Sequence, residues 1–249
     1  MANSSTAKKQ NTNFPLFFKN PVPLMADKHA EAGLLPDVSF EFSRNTNSVP
    51  ISHAEFIEAA KHYPIVFSAT AETDPVVVLG VENDSNLFVT ADGKWAKDRY
   101  IPAYVRRYPF VFTSDGADKL FLCIDEASDR FLKKAKKKDI QFFDNGKQTD
   151  ATNNALEFCK RFYNDQLATH AFAKKIADAG LLVDKKLTVT VKDGAKPINL
   201  SGFKIVDAEK LQNLDEKTIV EWHKNGLLSL IYLHLVSLTN FNNISKLIK

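Results

Sequence analysis

Between Thr149 and Gly180 the apolar residues Leu156, Cys159, Phe162, Tyr163, Leu167, Phe172 and Ile176 recur at spacings of mostly 3 to 5. Positions so spaced come together on one side only if the chain is helical. The stretch therefore predicts one long amphipathic helix, opened near Thr149–Thr152 and closed by Gly180. Residues 35–125 are different. They break into short β-branched or aromatic runs, Val38–Arg44, Ile65–Ser68, Val76–Val81, Leu87–Thr90, Phe110–Thr113 and Leu120–Ile124. Turn residues separate them, including Asp74-Pro75, Asn83-Asp84 and Ala91-Asp92-Gly93-Lys94. Strands first and helices later predict an α+β fold, with a mostly antiparallel sheet in the first half and a helical second half carrying a small strand pair.

Shorter signals fill in the rest. Asp27 is expected to cap a helix over 28–33 that Gly33 closes. Ser52-His53-Ala54-Glu55 has the S-x-x-E form of a capping box, with Ile51 as a staple residue, and its helix must stop before Pro64. A helix is expected over Tyr100–Tyr108, with Pro102 in its first turn. Asp144-Asn145-Gly146-Lys147 reads as a turn within the irregular stretch 126–148. A strand pair is expected from Leu187–Val191 and Gly202–Val206 around Lys192-Asp193-Gly194. Asp207 and Asp215 are expected caps of two short helices, and an apolar helix over 227–238 closes the chain.

At 249 residues and 44% apolar, the chain is sized for one domain: a disordered tail at 1–13, a single α+β domain over 14–249, and residues 126–148 as the place where a subdivision would fall. Several function classes drop out. The apolar part of the last helix, Leu227–Leu238, is too short for a bilayer, so no membrane span is expected. No secretory signal is visible, which places the chain in the cytoplasm, with signal-less export to the cell surface left open. The formal charge of +3 is concentrated in Lys133, Lys134, Lys136, Lys137 and Lys138, so there is no nucleic-acid footprint. That run reads as a solvated loop. Cys123 and Cys159 sit in apolar surroundings and read as buried thiols of a reducing compartment. Nine glycines form no P-loop, dinucleotide or nucleophile-elbow pattern, and no cofactor is called for.

Two constellations remain. His53-Ala54-Glu55 and His29-Ala30-Glu31 have the H-x-E form of an iron facial triad, for which His170, His223 or His234 would supply the third ligand. Against this, Glu55 is already explained by the capping box, so His53 and Glu55 are weak metal candidates. The denser constellation is Trp95, Tyr100, Tyr104, Arg106, Arg107, Tyr108 and, downstream, Asp125. Tyr100, Tyr104 and Tyr108 fall at i, i+4 and i+8 and would share one helix face. Arg106 and Arg107 diverge by about 100° on a helix, so one is expected to be structural, paired with a carboxylate such as Asp125, and the other to face a ligand or partner.

The string from His53 through Ala59-Ala60-Lys61-His62-Tyr63-Pro64-Ile65-Val66-Phe67 resembles the surface-layer-associated SapC family. So do Asn86-Leu87-Phe88-Val89, Asp92-Gly93-Lys94-Trp95, the string from Tyr100 to Phe110, and Leu122-Cys123-Ile124-Asp125, the resemblance running from about Pro21 to the end. The chain departs from the family's pattern at its lysine run. The resemblance implies a link to bacterial surface-layer arrays, with no established catalytic residues, and relatives found beside halogenase-like and cupin-like proteins. A transporter permease shares the family's name, but a chain without spans is not that protein. The reading that follows is a non-catalytic accessory protein of a surface-layer system with a protein partner, surface-layer components among the candidates. An iron-dependent enzyme using a His/Glu set and a domain binding a small carboxylate stand beside it.

Overall fold

The computed structural model describes residues 14–114, 120–189 and 197–248. The fold is α+β. Its main sheet has five strands in the order Leu182–Val189, Ile198–Val206, Ile65–Ser68, Pro75–Val78 and Ser48–Pro50, each antiparallel to its neighbour. A second sheet of three pairs Pro21–Pro23 and Phe110–Ser114 with the two edges of Leu120–Asp125. A third, small sheet sets Gly33–Leu34 between Phe131–Leu132 and Ile140–Gln141. The expected tail at 1–13 and the turn at 192–194 lie outside the described residues.

The long helix spans Asp150–Asp178, capped by Thr149, whose hydroxyl accepts from the Thr152 amide. Gly180, at φ 68°, ends it in the left-handed conformation that suits glycine. Its buried residues include Cys159, Phe162, Thr169, Phe172, Ala173 and Ile176, whereas Tyr163 and Leu167 remain exposed. Phe172 joins the helix to the main sheet, meeting Phe56 at 5.7 Å and Phe67 at 6.3 Å between ring centroids. Burying a ring of this size contributes about 2–3 kcal/mol.

The Leu227–Ser237 helix packs on the same sheet and carries two polar groups inward. Strands 65–68 and 198–206 pair only at Phe203↔Ser68 and Lys204↔Phe67. Two residues further along, where the ladder has stopped, the buried His234 bridges them. Its Nε2 accepts from the Val206 amide at 3.0 Å, and its Nδ1 donates to the Ile65 carbonyl at 2.8 Å. The Ser237 hydroxyl accepts from the Ile65 amide at 2.9 Å. Among the described residues no helix is long and apolar enough to cross a membrane.

Several expectations need correction. Val38–Arg44 is not a strand: Glu41–Ser43 is a 3₁₀ turn in which the Ser43 hydroxyl donates back to the Phe40 carbonyl at 2.8 Å. Its alternating rings face different neighbours, Phe40 against Trp95 and Phe42 against Tyr108 and Phe17. Leu87–Thr90 is reduced to an isolated bridge between Val89 and Trp95. The first helix is Ala26–His29, headed by Met25, with Asp27 inside it. Gly33 does not close it but lies within the small sheet, where a Cβ would fall 2.3 Å from the Ile140 carbonyl oxygen. The expected helix over Tyr100–Tyr108 is the single turn Ala103–Arg106, so the three tyrosines do not line one helix face. Asp207 and Asp215 cap as expected, and Asn145-Gly146 makes the hairpin turn with both residues at positive φ. The lysine run is exposed, joining Phe131–Leu132 to Ile140–Gln141.

Burial holds the His234 imidazole neutral, with its pKa pushed down from 6.5 to about 4. The unfolded chain therefore binds a proton that the folded one refuses between those values, and stability is lost as pH falls through that window. From pH 8 to pH 5 this group alone should cost roughly 2 kcal/mol. Urea unfolding at the two pH values checks it. A His234→Gln variant, whose amide does not titrate, should show a correspondingly smaller difference.

Candidate functional site

The Tyr100–Phe110 segment is fixed from one side by Glu55. This buried carboxylate accepts from the Ser52 amide at 3.0 Å and the Ser52 hydroxyl at 2.8 Å through Oε2. Through Oε1 it accepts from the Tyr100 hydroxyl at 2.8 Å and the Ala103 amide at 2.6 Å. The capping carboxylate thus reaches past its own turn to the first amide of the Ala103–Arg106 helix. From the other side, the Trp95 indole donates to the Tyr63 hydroxyl at 3.0 Å, and that hydroxyl donates to the Tyr100 carbonyl.

With its ends held, the helical turn sends its two arginines to different fates. Arg106 is exposed and engaged: Nε donates to the Ile101 carbonyl at 2.9 Å and Nη2 to the Tyr100 hydroxyl at 3.1 Å. Its guanidinium also lies over Phe158 at 5.2 Å. Arg107 turns inward, within 4.1 Å of the Tyr104 ring centroid, 4.7 Å of Phe162 and 5.5 Å of Phe18. Its Nε is shielded from solvent and has no hydrogen-bond partner. Among the described residues no carboxylate forms an ion pair with it. Burial pushes the Arg107 pKa down, an effect that the neighbouring Tyr104 partly offsets. An arginine nevertheless stays protonated, so this is a half-buried cation without a carboxylate partner.

Two cavities meet at it. The larger, about 300 Å³, is lined by Arg106, Arg107, Arg130, Phe142, Phe158 and Cys159 among others. The smaller, about 230 Å³, is lined by Tyr104, Arg107, Phe112, Phe162, Tyr163 and Gln166, with Cys159 and Pro50. Neither is lined by an Asp, Glu, His or Lys. Arg130 in the larger cavity spends Nε and Nη2 on the Leu35 carbonyl, at 3.1 and 2.8 Å. Burial raises the Cys159 thiol to about 12 and raises the Tyr104 hydroxyl as well, so neither is a ready nucleophile or base.

Of the residues singled out from the sequence, Tyr104, Arg106, Arg107 and Tyr108 line these cavities, and Trp95, Tyr100 and Asp125 do not. Trp95 is a core ring, and Tyr100 is a strut between Glu55 and Arg106. The pairing of Asp125 with an arginine is not found. It is fully buried and accepts from the amides of Lys19, Asn20 and Ala127, at 3.0, 2.8 and 3.1 Å, and from the Tyr108 hydroxyl at 3.4 Å. Those contacts clamp the chain entering Pro21–Pro23.

The histidines are dispersed. His53 Nδ1 lies 3.1 Å from the Thr169 hydroxyl, and His170 pairs with Asp74. His223 is exposed, and His234 is inside the main sheet's packing. His29 meets Glu126 at 3.2 Å, whereas Glu31 faces Lys134. Among the described residues no three His, Cys, Asp or Glu groups gather into a metal-holding set.

Phe158, Cys159, Phe162 and Gln166 were not singled out as site residues. Cys159 and Phe162 are ordinary members of the apolar stripe, and Phe158 is an apolar residue beside it. Gln166 had a signal, a polar residue seven positions after Cys159 on the same helix face.

A search against family profiles matches SapC over residues 24–244. The chain belongs to the SapC family. No curated protein and no solved structure matches it.

In this SapC protein Glu55→Ala strands buried donors from two segments and should destabilise the fold by about 3 kcal/mol, with Glu55→Gln intermediate. Arg106→Ala, losing exposed contacts, should lower Tm by only about 3 °C. Thermal unfolding of the three variants measures both.

Proposed function

We propose that this SapC protein is a non-catalytic accessory component of a bacterial surface-layer system, acting by binding an anionic group at Arg107. The supporting observation is the guanidinium itself, half-buried among Tyr104, Phe162 and Phe18 with its Nε shielded and no carboxylate beside it. A charge removed from water costs several kcal/mol unless it is paired, and ring faces return only part of that. A fold that keeps such a cation gains most when an external anion completes it. Binding rather than turnover is favoured by the lining, which offers no carboxylate or imidazole to move a proton.

The surface-layer association rests on the family's name and on the resemblance, and makes a protein partner from that layer the natural companion. The two buried free thiols suit a cytoplasmic pool, with signal-less export as the route to the surface. Co-sedimentation with isolated surface-layer sheets tests this part, and retention of the chain in the supernatant at all protein ratios counts against it.

The anion site has its own test. Tm is compared in sodium acetate and in sodium chloride at matched ionic strength, for the wild type, Arg106→Ala and Arg107→Met. In chloride Arg107→Met should unfold within about 2 °C of the wild type or above it, since exchanging an unpaired buried charge for an apolar chain is neutral or stabilising. Acetate should raise Tm for the wild type and Arg106→Ala beyond the general salt effect seen in Arg107→Met. An equal rise in all three defeats the reading.

A further inference from the structure

Cys159, Phe162, Gln166, Thr169, Ala173 and Ile176 follow one another at intervals of 3, 4, 3, 4 and 3 and so share the inward stripe of the long helix. Four are apolar. Thr169 is polar but engaged, its hydroxyl accepting from the His53 amide at 2.8 Å. Gln166 is not engaged: its Nε2 is shielded from solvent and has no hydrogen-bond partner. A position in this stripe calls for an apolar side chain, and an unpartnered amide there is a cost that packing does not explain.

Gln166 lines the smaller cavity, and so does Arg107, whose Nε is equally without a partner. Two residues that each hold an unsatisfied, solvent-shielded donor, from separate elements of the chain, thus border one space of about 230 Å³. The other lining is mostly aromatic, from Tyr104, Phe112, Phe162 and Tyr163. Resting on the anion-binding reading above, we propose that this cavity seats a small aromatic monocarboxylate. One carboxylate oxygen accepts from the Arg107 guanidinium and the other from the Gln166 amide, each side chain turning its shielded donor into the cavity as the ligand enters, and the ring packs among the four aromatic side chains.

Each part of that description follows from the lining. One guanidinium borders this cavity, because Arg106 and Arg130 border the larger one, so a single negative charge is matched and a dianion is not. Planar rings prefer edge and offset contacts with other rings over an open alkyl chain. The volume lies below the range of about 300–1,000 Å³ typical of sites for drug-sized molecules, which restricts the ligand to a small acid.

The probes are phenylacetate, acetate, decanoate and the uncharged phenylacetamide, followed by thermal shift and by isothermal titration. Phenylacetate near saturation should raise wild-type Tm by about 5 °C and bind more tightly than acetate or decanoate, with phenylacetamide silent. Gln166→Leu should keep the fold, shown by an unchanged circular dichroism spectrum, and weaken phenylacetate about tenfold, the loss of one hydrogen bond to a charged group. Gln166→Met replaces it if the leucine variant misfolds. Arg107→Met should abolish the response.

Equal binding of phenylacetate by the wild type and the Gln166 variant overturns the proposal, as does equal affinity for acetate and phenylacetate. In both cases an Arg107-dependent acetate effect leaves the anion site standing. No response to any anion sinks the site and the ligand class together.

Discussion

Glu55 is the carboxylate on which the placement of the candidate site depends. It lies in the core with four donors around it: the Ser52 amide and hydroxyl, the Tyr100 hydroxyl and the Ala103 amide. A buried carboxylate is tolerable only when its lone pairs are filled, and here no single stretch of chain can fill them. The 52–55 turn and the 100–103 segment must arrive together or the charge stays exposed to an apolar interior. That mutual requirement fixes where the Ala103–Arg106 turn begins, and the turn then dictates the directions of Arg106 and Arg107. The Tyr63–Trp95 pair holds the Tyr100 carbonyl from the opposite side, so the segment has little freedom to relax.

Two fully buried ionisable groups, Asp125 and His234, follow the rule that Arg107 breaks. Asp125 is surrounded by three amides and a phenol, and His234 is bonded through both ring nitrogens to strand backbones. Each joins parts of the chain distant in sequence, and each is satisfied by the fold alone. Arg107 meets ring faces but no carboxylate, and its neighbour Gln166 has an idle amide. The contrast within one molecule is what separates a scaffold charge from one held for something outside the chain.

How much of this was legible depended on whether a signal was local. Thr149 and Gly180 bound the long helix where the sequence puts them, because caps and stops act within a few residues. The same holds for Asp207, Asp215 and the Asn145-Gly146 turn. Val38–Arg44 misled because its alternating rings are addressed to different neighbours, Trp95, Tyr108 and Phe17, and not to one sheet face. The tyrosine spacing misled because one helical turn cannot carry an i, i+8 face. At the site, Arg107 and Tyr104 could be named in advance, but not that Asp125 is consumed by amides more than 100 residues away. Gln166 was readable in principle, as the unpaired polar step of a 3-4-3-4-3 stripe, yet only the folded chain brings it to the cavity that Arg107 borders.

Cys159 stands at the boundary of both cavities, with its thiol buried and its pKa raised to about 12. The thiolate is the form that attacks alkylating reagents, so in the closed protein this sulfur is nearly inert. Any breathing of the long helix away from the Arg107 turn would admit water and reagent and return the thiol toward ordinary reactivity. The molecule therefore carries a built-in gauge of local opening, in which the rate of labelling at Cys159 tracks the fraction of time that the compartment is unsealed.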